Sequence, residues 1–121
     1  MHEPREQLTT RTQEMHRAIA SLMEELEAVD WYQQRVDATT DDHLRGILAH
    51  NRDEEIEHAA MVLEWLRRNS ETFDRMLRKF LFSDVSRIDE LEEEEGKRTG
   101  SGAAASADGS LGLARLLRDA K

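Results

Sequence analysis

Asn51-Arg-Asp-Glu-Glu-Ile-Glu-His58 sets a carboxylate and an imidazole three residues apart, as Glu55-x-x-His58, so both project from one face if the segment is helical. At about 100° per residue the two side chains fall within the apolar arc of Leu44, Leu48, Ala59, Val62 and Leu66. Two ionisable groups are thus aimed at a core. Unpaired burial would cost several kcal/mol each, comparable with the net stability of a small domain, and a metal ion is the obvious compensation.

The periodicity around this stretch predicts a helix from about Asp42 to Arg68. Before it lies a short polar turn, Asp37-Ala-Thr-Thr-Asp-Asp42, with Thr40, Asp41 or Asp42 available as the cap. An earlier helix is expected from about Pro4 or Leu8 to Val36, with Leu8, Met15, Ile19, Leu22, Leu26, Val29 and Val36 in one stripe. So short a connection makes the two helices an antiparallel hairpin. Glu25 stands inside the stripe of the first helix, among Ala18, Leu22, Val29 and Tyr32. It lies about fifteen residues before the turn and Glu55 about fifteen after, so at ~1.5 Å per residue both stand ~22 Å from it. The two inward carboxylates are level, and His58 is one turn beyond.

Ser70 is a plausible N-cap for a short third helix carrying Phe73, Met76, Leu77, Phe80 and Leu81 at helical spacing. The pattern then thins to Val85, Ile88 and Leu91 before the acidic run of residues 92–95, read as a solvated face or helix end. Residues 96–110 (GKRTGSGAAASADGS) read as a flexible linker with a span of ~20 Å. Residues 111–121 begin Leu111-Gly-Leu-Ala-Arg-Leu-Leu-Arg118, an apolar pattern too short to fold alone, as in a tethered docking peptide. The expected organisation is a helical domain over 1–95, a linker over 96–110 and a docking tail over 111–121.

Composition agrees with an all-α chain: 121 residues, 38% hydrophobic, 36% charged, one Pro and few aromatics describe long amphipathic helices in one domain plus a tail. The net charge of −9 leaves no basic patch to displace phosphate counterions, which argues against a nucleic-acid partner and suits cations. With no Cys, any metal must be held by oxygen and nitrogen. The start lacks the basic and apolar regions of a signal peptide, and no apolar run approaches the roughly 18 residues of a membrane span, so a cytoplasmic protein without a membrane partner is expected.

A di-iron carboxylate centre in a four-helix bundle draws a Glu from each of two helices and Glu-x-x-His from each of the other two. Here one Glu and one Glu-x-x-His are present, on two long helices: half the ligands and half the bundle. Both shortages vanish if two copies pair about a dyad, with Glu25, Glu55 and His58 contributed twice at a homodimer interface. An isolated Glu-x-x-His on an acidic helix arises often by chance, and a lone inward His is more often a core residue. The level alignment with Glu25 separates this case from those, and His16, His43 and His50 have no such company.

At Ser21-Leu-Met-Glu-Glu-Leu-Glu-Ala-Val-Asp-Trp-Tyr32 and Leu48-Ala-His-Asn-Arg-Asp-Glu-Glu-Ile-Glu-His-Ala-Ala-Met61 the chain resembles the encapsulated ferritins, over roughly residues 15–69. The resemblance implies a ferritin-like four-helix bundle completed by homodimerisation and a ferroxidase that oxidises Fe(II) with O2 at a di-iron centre between two subunits. Its ligands would be Glu25, Glu55 and His58. It further implies a metal-attracting site at Glu24 and Glu27, and supporting roles for Trp31 and Tyr32 beside the centre. Family members form an open ring of five dimers, so iron would be mineralised inside an encapsulin shell. The tail is similar to an encapsulin cargo-loading peptide, with Arg115 where Ser or Gly is usual. The competing expectations are a helical cargo or adaptor protein that binds metal without catalysis, and zinc or calcium at structural or accessory positions, since the same ligands bind several ions.

Overall fold

The computed structural model describes residues 1–92, all of whose regular structure is helical: a 3-10 turn at Arg5–Gln7, α1 at Thr10–Ala38, α2 at Asp42–Asn69 and α3 at Glu71–Phe80. The linker over 96–110 and the tail over 111–121 lie outside the described residues, as do residues 93–95. The described residues sort into two compact units, one of residues 13–66 with Met1, the other of residues 2–12 and 67–92.

The first unit is the hairpin, and its turn is built by side chains that satisfy the backbone groups a helix end leaves unpaired. Asp41 is the cap actually used: its Oδ1 accepts from Leu44 N–H at 3.0 Å, while its own N–H donates to Thr39 Oγ1 at 3.2 Å. Arg45, in the first turns of α2, pairs with Asp42 and reaches back to the last turn of α1, where its guanidinium donates to the carbonyls of Val36 (3.2 Å) and Thr39. Farther along the pair, Arg52 on α2 donates to Gln33 on α1 at 2.7 Å.

Covered apolar side chains are few. Met15, Ala59 and Leu66 are the buried hydrophobic residues among those described, whereas Met23, Leu26, Trp31, Leu44, Ile47, Ile56, Met61 and Trp65 keep between 39% and 65% of their surface exposed. On α2, Ile56 is nine residues from both Ile47 and Trp65 and so about half a turn around the helix from them. The hairpin therefore carries apolar surface on opposite flanks, more than the pairing of its own two helices can cover.

In the second unit α1 begins later than Pro4 or Leu8. Leu8 is extended (φ −101°, ψ 141°), closing a separate 3-10 turn in which Gln7 N–H donates to Pro4 O at 3.0 Å. Thr9 then caps α1, its hydroxyl oxygen accepting from Thr12 N–H at 3.0 Å. A residue capable of a local side-chain cap has displaced the apolar periodicity as the start signal. Arg11 donates to the carbonyl of Asn69, the last residue of α2, at 2.6 Å. Thus each long helix has a C-terminal carbonyl held by an arginine from the first turns of the other.

Ser70 is buried and caps α3, accepting from Phe73 N–H at 3.2 Å. Asp74 bridges Arg67 and Arg78, and the hydrogen bond from Arg67, followed by that from Arg78, holds its carboxyl below the usual range against an opposing desolvation effect. Beyond α3, Phe82 is held at φ 58°, a left-handed conformation rare for an aromatic residue, with its ring fully exposed. Ser70→Ala leaves the Phe73 N–H without its acceptor in a buried setting and is expected to lower stability by about 1 kcal/mol, read by urea denaturation at fixed protein concentration.

Candidate metal centre

Glu25 projects from α1, and Glu55 and His58 from α2 one turn apart. One ligand atom from each lies within 4.8 Å of the others, the single such grouping of three or more potential ligands among the described residues. His58 Nδ1 stands 3.4 Å from Glu55 Oε2 and 3.6 Å from Glu25 Oε2. The levelling of two carboxylates across the hairpin, expected from counting residues outward from the turn, is the geometry found.

Their setting differs from the enclosed core that the helical wheel suggests. The side chains of Glu25, Glu55 and His58 are 26%, 23% and 43% exposed, so the group lies at a flank of the hairpin instead of sealed between its helices. The wheel identifies the face that is apolar but not how wide a strip of it one partner helix can cover. Three ligand atoms also fall short of filling the coordination shell of a divalent ion, which leaves positions for further ligands on the exposed side.

The electrostatics favour a cation here. Glu25 has its pKa raised, first by the hydrogen bond with Glu55, then by desolvation and by the Glu55 charge, while His58 opposes the shift. Two carboxylates this close repel one another as anions, which favours a positive charge placed between them. For His58, desolvation pulls the pKa down, but the hydrogen bond with Glu55 and the charges of Glu25, Glu55 and Glu54 outweigh it and the net shift is upward. Over a longer range, residues 13–66 hold thirteen acidic against four basic side chains, the whole of the chain's net −9. A diffusing cation meets its attraction on this unit, and added salt would weaken it.

Glu24 and Glu27 are exposed and are not brought into the group. Trp31 is exposed and Tyr32 half-buried, and both rings lie under the guanidinium of Arg35, at 5.9 and 5.4 Å from their centroids. Arg35 was not singled out in the sequence. Its i+3 and i+4 spacing to the two aromatics is the signal that points to it. His50 does have an acidic neighbour, Glu54 Oε1 at 3.4 Å, but on a well-exposed face.

Because Glu25 and His58 bind protons more tightly in the folded chain than in the unfolded one, folding of the metal-free protein takes up protons and its stability is greatest on the acid side. The His58 contribution is complete below its ordinary value of 6.5 and is lost as pH rises through its raised value; that of Glu25 declines above 4.5. Urea midpoints of metal-free protein should therefore fall as pH rises from about 5 to 8, and less so in Glu25→Gln. Divalent-ion affinity should rise over the same range, because binding must displace these protons.

The model of the EncFtn-like family matches residues 1–84. The "Encapsulated ferritin-like protein" of Rhodospirillum rubrum is 54% identical, over 98% of this chain and 89% of that protein. A "Ferritin-like protein" of Thermotoga maritima is 51% identical, over 95% of this chain and 96% of its own length. Among solved structures, the crystal structure of a Nitrosomonas europaea protein superposes with a TM-score of 0.69 at 58% identity, covering 70% of this chain and 93% of that one.

Proposed function

This chain belongs to the EncFtn-like family, and on that premise we propose that it is a ferroxidase, oxidising Fe(II) to Fe(III) with O2 at a di-iron site shared by two copies. The observation that carries the reading is the convergence of Glu25, Glu55 and His58 ligand atoms within 4.8 Å on a ferritin-like helical pair. Carboxylate oxygens stabilise Fe(III) more than Fe(II), and imidazole accepts either, so this ligand set favours the oxidised product.

One hairpin supplies half of the ligands that such a centre takes, and its exposed apolar flanks are the surface a second hairpin would cover. Glu25 and Glu55 would each bind iron as carboxylates, and His58 would supply the nitrogen ligand. Two Fe(II) ions release one electron each, and O2 is the acceptor. Exposed Glu24 and Glu27, on the acidic face of α1, would draw Fe(II) toward the centre, and Trp31 and Tyr32 would support it from the next turns. Calcium or zinc would compete at the accessory carboxylates.

The name of the Rhodospirillum rubrum relative describes it as encapsulated. Carried to this chain, that supports work inside an encapsulin compartment; the same proposal takes residues 1–95 as a helical domain that assembles as a ring of five dimers, 96–110 as a linker and 111–121 as the loading peptide. No helix among the described residues is long and apolar enough to cross a membrane.

Anaerobic Fe(II) titration followed by O2 tests the reading. Saturation at about one iron per chain, with rapid formation of ferric absorbance and none above buffer in Glu55→Ala, is expected for a shared two-iron centre. Saturable binding with oxidation no faster than buffer would instead indicate a non-catalytic metal-binding cargo protein. Deleting residues 111–121 should abolish co-purification with the shell and leave the oxidation rate unchanged; equal loss of both would count against a separate docking tail.

A further inference from the structure

Arg52 is a cation on the ligand-bearing helix that the proposed chemistry does not use. Its side chain is only 25% exposed, and it spans the hairpin. Nη1 donates to Gln33 Oε1 at 2.7 Å, while Nε and Nη2 hold Asp53 Oδ1 at 3.1 and 3.0 Å. Gln33 in turn donates from Nε2 to Asp37 Oδ1 at 3.0 Å. Arginine can only donate and an ionised aspartate can only accept, so the residue between them must do both, and the glutamine amide does.

Arg52 stands one helical turn before Glu55, about 60° around α2 from it and about 120° from His58. Gln33 stands two turns nearer the hairpin turn than Glu25. The bond is thus a rung across the pair between the turn and the metal-binding group. We infer that the Arg52–Gln33 hydrogen bond is a positioning contact, holding α1 and α2 in the register at which Glu25, Glu55 and His58 converge before any metal is present.

Three features make such a contact necessary. The cluster is ~22 Å from the turn, so a splay of about 5° there would move the ligands by about 2 Å, far more than the few tenths of an ångström a metal site tolerates. The converging carboxylates of Glu25 and Glu55 repel one another and drive that splay. Few apolar side chains are buried to resist it. A charge-assisted bond from a partly buried guanidinium, anchored from behind by Asp53, opposes it at the nearest turn of α2.

The inference rests on Glu25, Glu55 and His58 being a metal-binding group, and Co(II), which O2 oxidises far less readily than Fe(II), tests it separately from ferroxidase activity. Titration of Arg52→Met and of Gln33→Leu should each show about tenfold weaker Co(II) binding, with the double variant no weaker than either single one. Arg52→Lys keeps a charged donor for Gln33 Oε1 and leaves the Gln33–Asp37 bond in place, so it should weaken Co(II) binding less than Arg52→Met does. In Fe(II) oxidation the two disrupted variants should need more iron for half-maximal rate yet reach the same maximum, a split that a general loss of fold would not produce. Gln33→Leu, at an exposed position, carries the comparison alone should Arg52→Met lose helicity. Single variants that bind Co(II) within about twofold of the unaltered chain, or losses that multiply in the double variant, would overturn the inference. An unaltered chain that binds Co(II) but fails to oxidise Fe(II) would remove the ferroxidase reading and leave the rung to be decided by the titrations; one that binds no Co(II) would remove both.

Discussion

Two carboxylates are made to face one another across a pair of helices, and much of the hairpin can be understood from that opposition. Glu25 and Glu55 converge with His58 within 4.8 Å, an arrangement that costs free energy unless a proton or a metal ion stands between them. A long helix pair would relax such a cost by parting. It is held by a three-residue connection between α1 and α2 with Arg45 folded over it, and by the Arg52–Gln33 bond between that turn and the cluster. Preorganising like charges in this way shifts the stabilisation onto whatever cation arrives.

The second constraint is the poverty of the core. Met15, Ala59 and Leu66 are well covered, but large apolar side chains on opposite flanks of the hairpin are not. A chain of this size already buries a smaller share of its surface than a large domain does, and leaving Met61, Trp65, Ile56 and Leu26 in water forgoes several of its best contributions. The shortage in packing runs parallel to the shortage in ligands. A single dyad that covers one flank would supply both remedies at once, since Glu25, Glu55 and His58 lie at a flank and offer three ligand atoms.

Much of this was legible in the sequence because it is periodic. The bounds of α2, the cap at Ser70 and the level placement of Glu25 with Glu55 and His58 follow from spacing alone, and each is found. The start of α1 lies later than the stripe predicts: Leu8 continues the apolar pattern, but the Thr9 hydroxyl captures the Thr12 N–H and fixes the helix start beyond it. Enclosure of the ligand group was also overstated, because an apolar arc says which side faces a partner and not whether one hairpin supplies it. The contacts of Arg11, Arg45 and Arg52 are illegible in the sequence for a common reason. A guanidinium on a long stem reaches acceptors many residues away in sequence, and its contact leaves no period to detect.

The position of the ligands along their helices has a consequence of its own. Glu25 is one residue past the midpoint of the 29-residue α1, and Glu55 is at the middle of the 28-residue α2. The partial charges of a helix macrodipole are concentrated in its first and last turns, so at mid-length the backbone contributes almost no field. Many anion sites borrow their charge from helix termini, but this group borrows nothing from the peptide groups around it. Its potential is set by side chains alone. For a cation held here, single substitutions on the helix surface would change the field it meets with the backbone left as it is, and fraying at the helix ends would leave the field at the centre untouched.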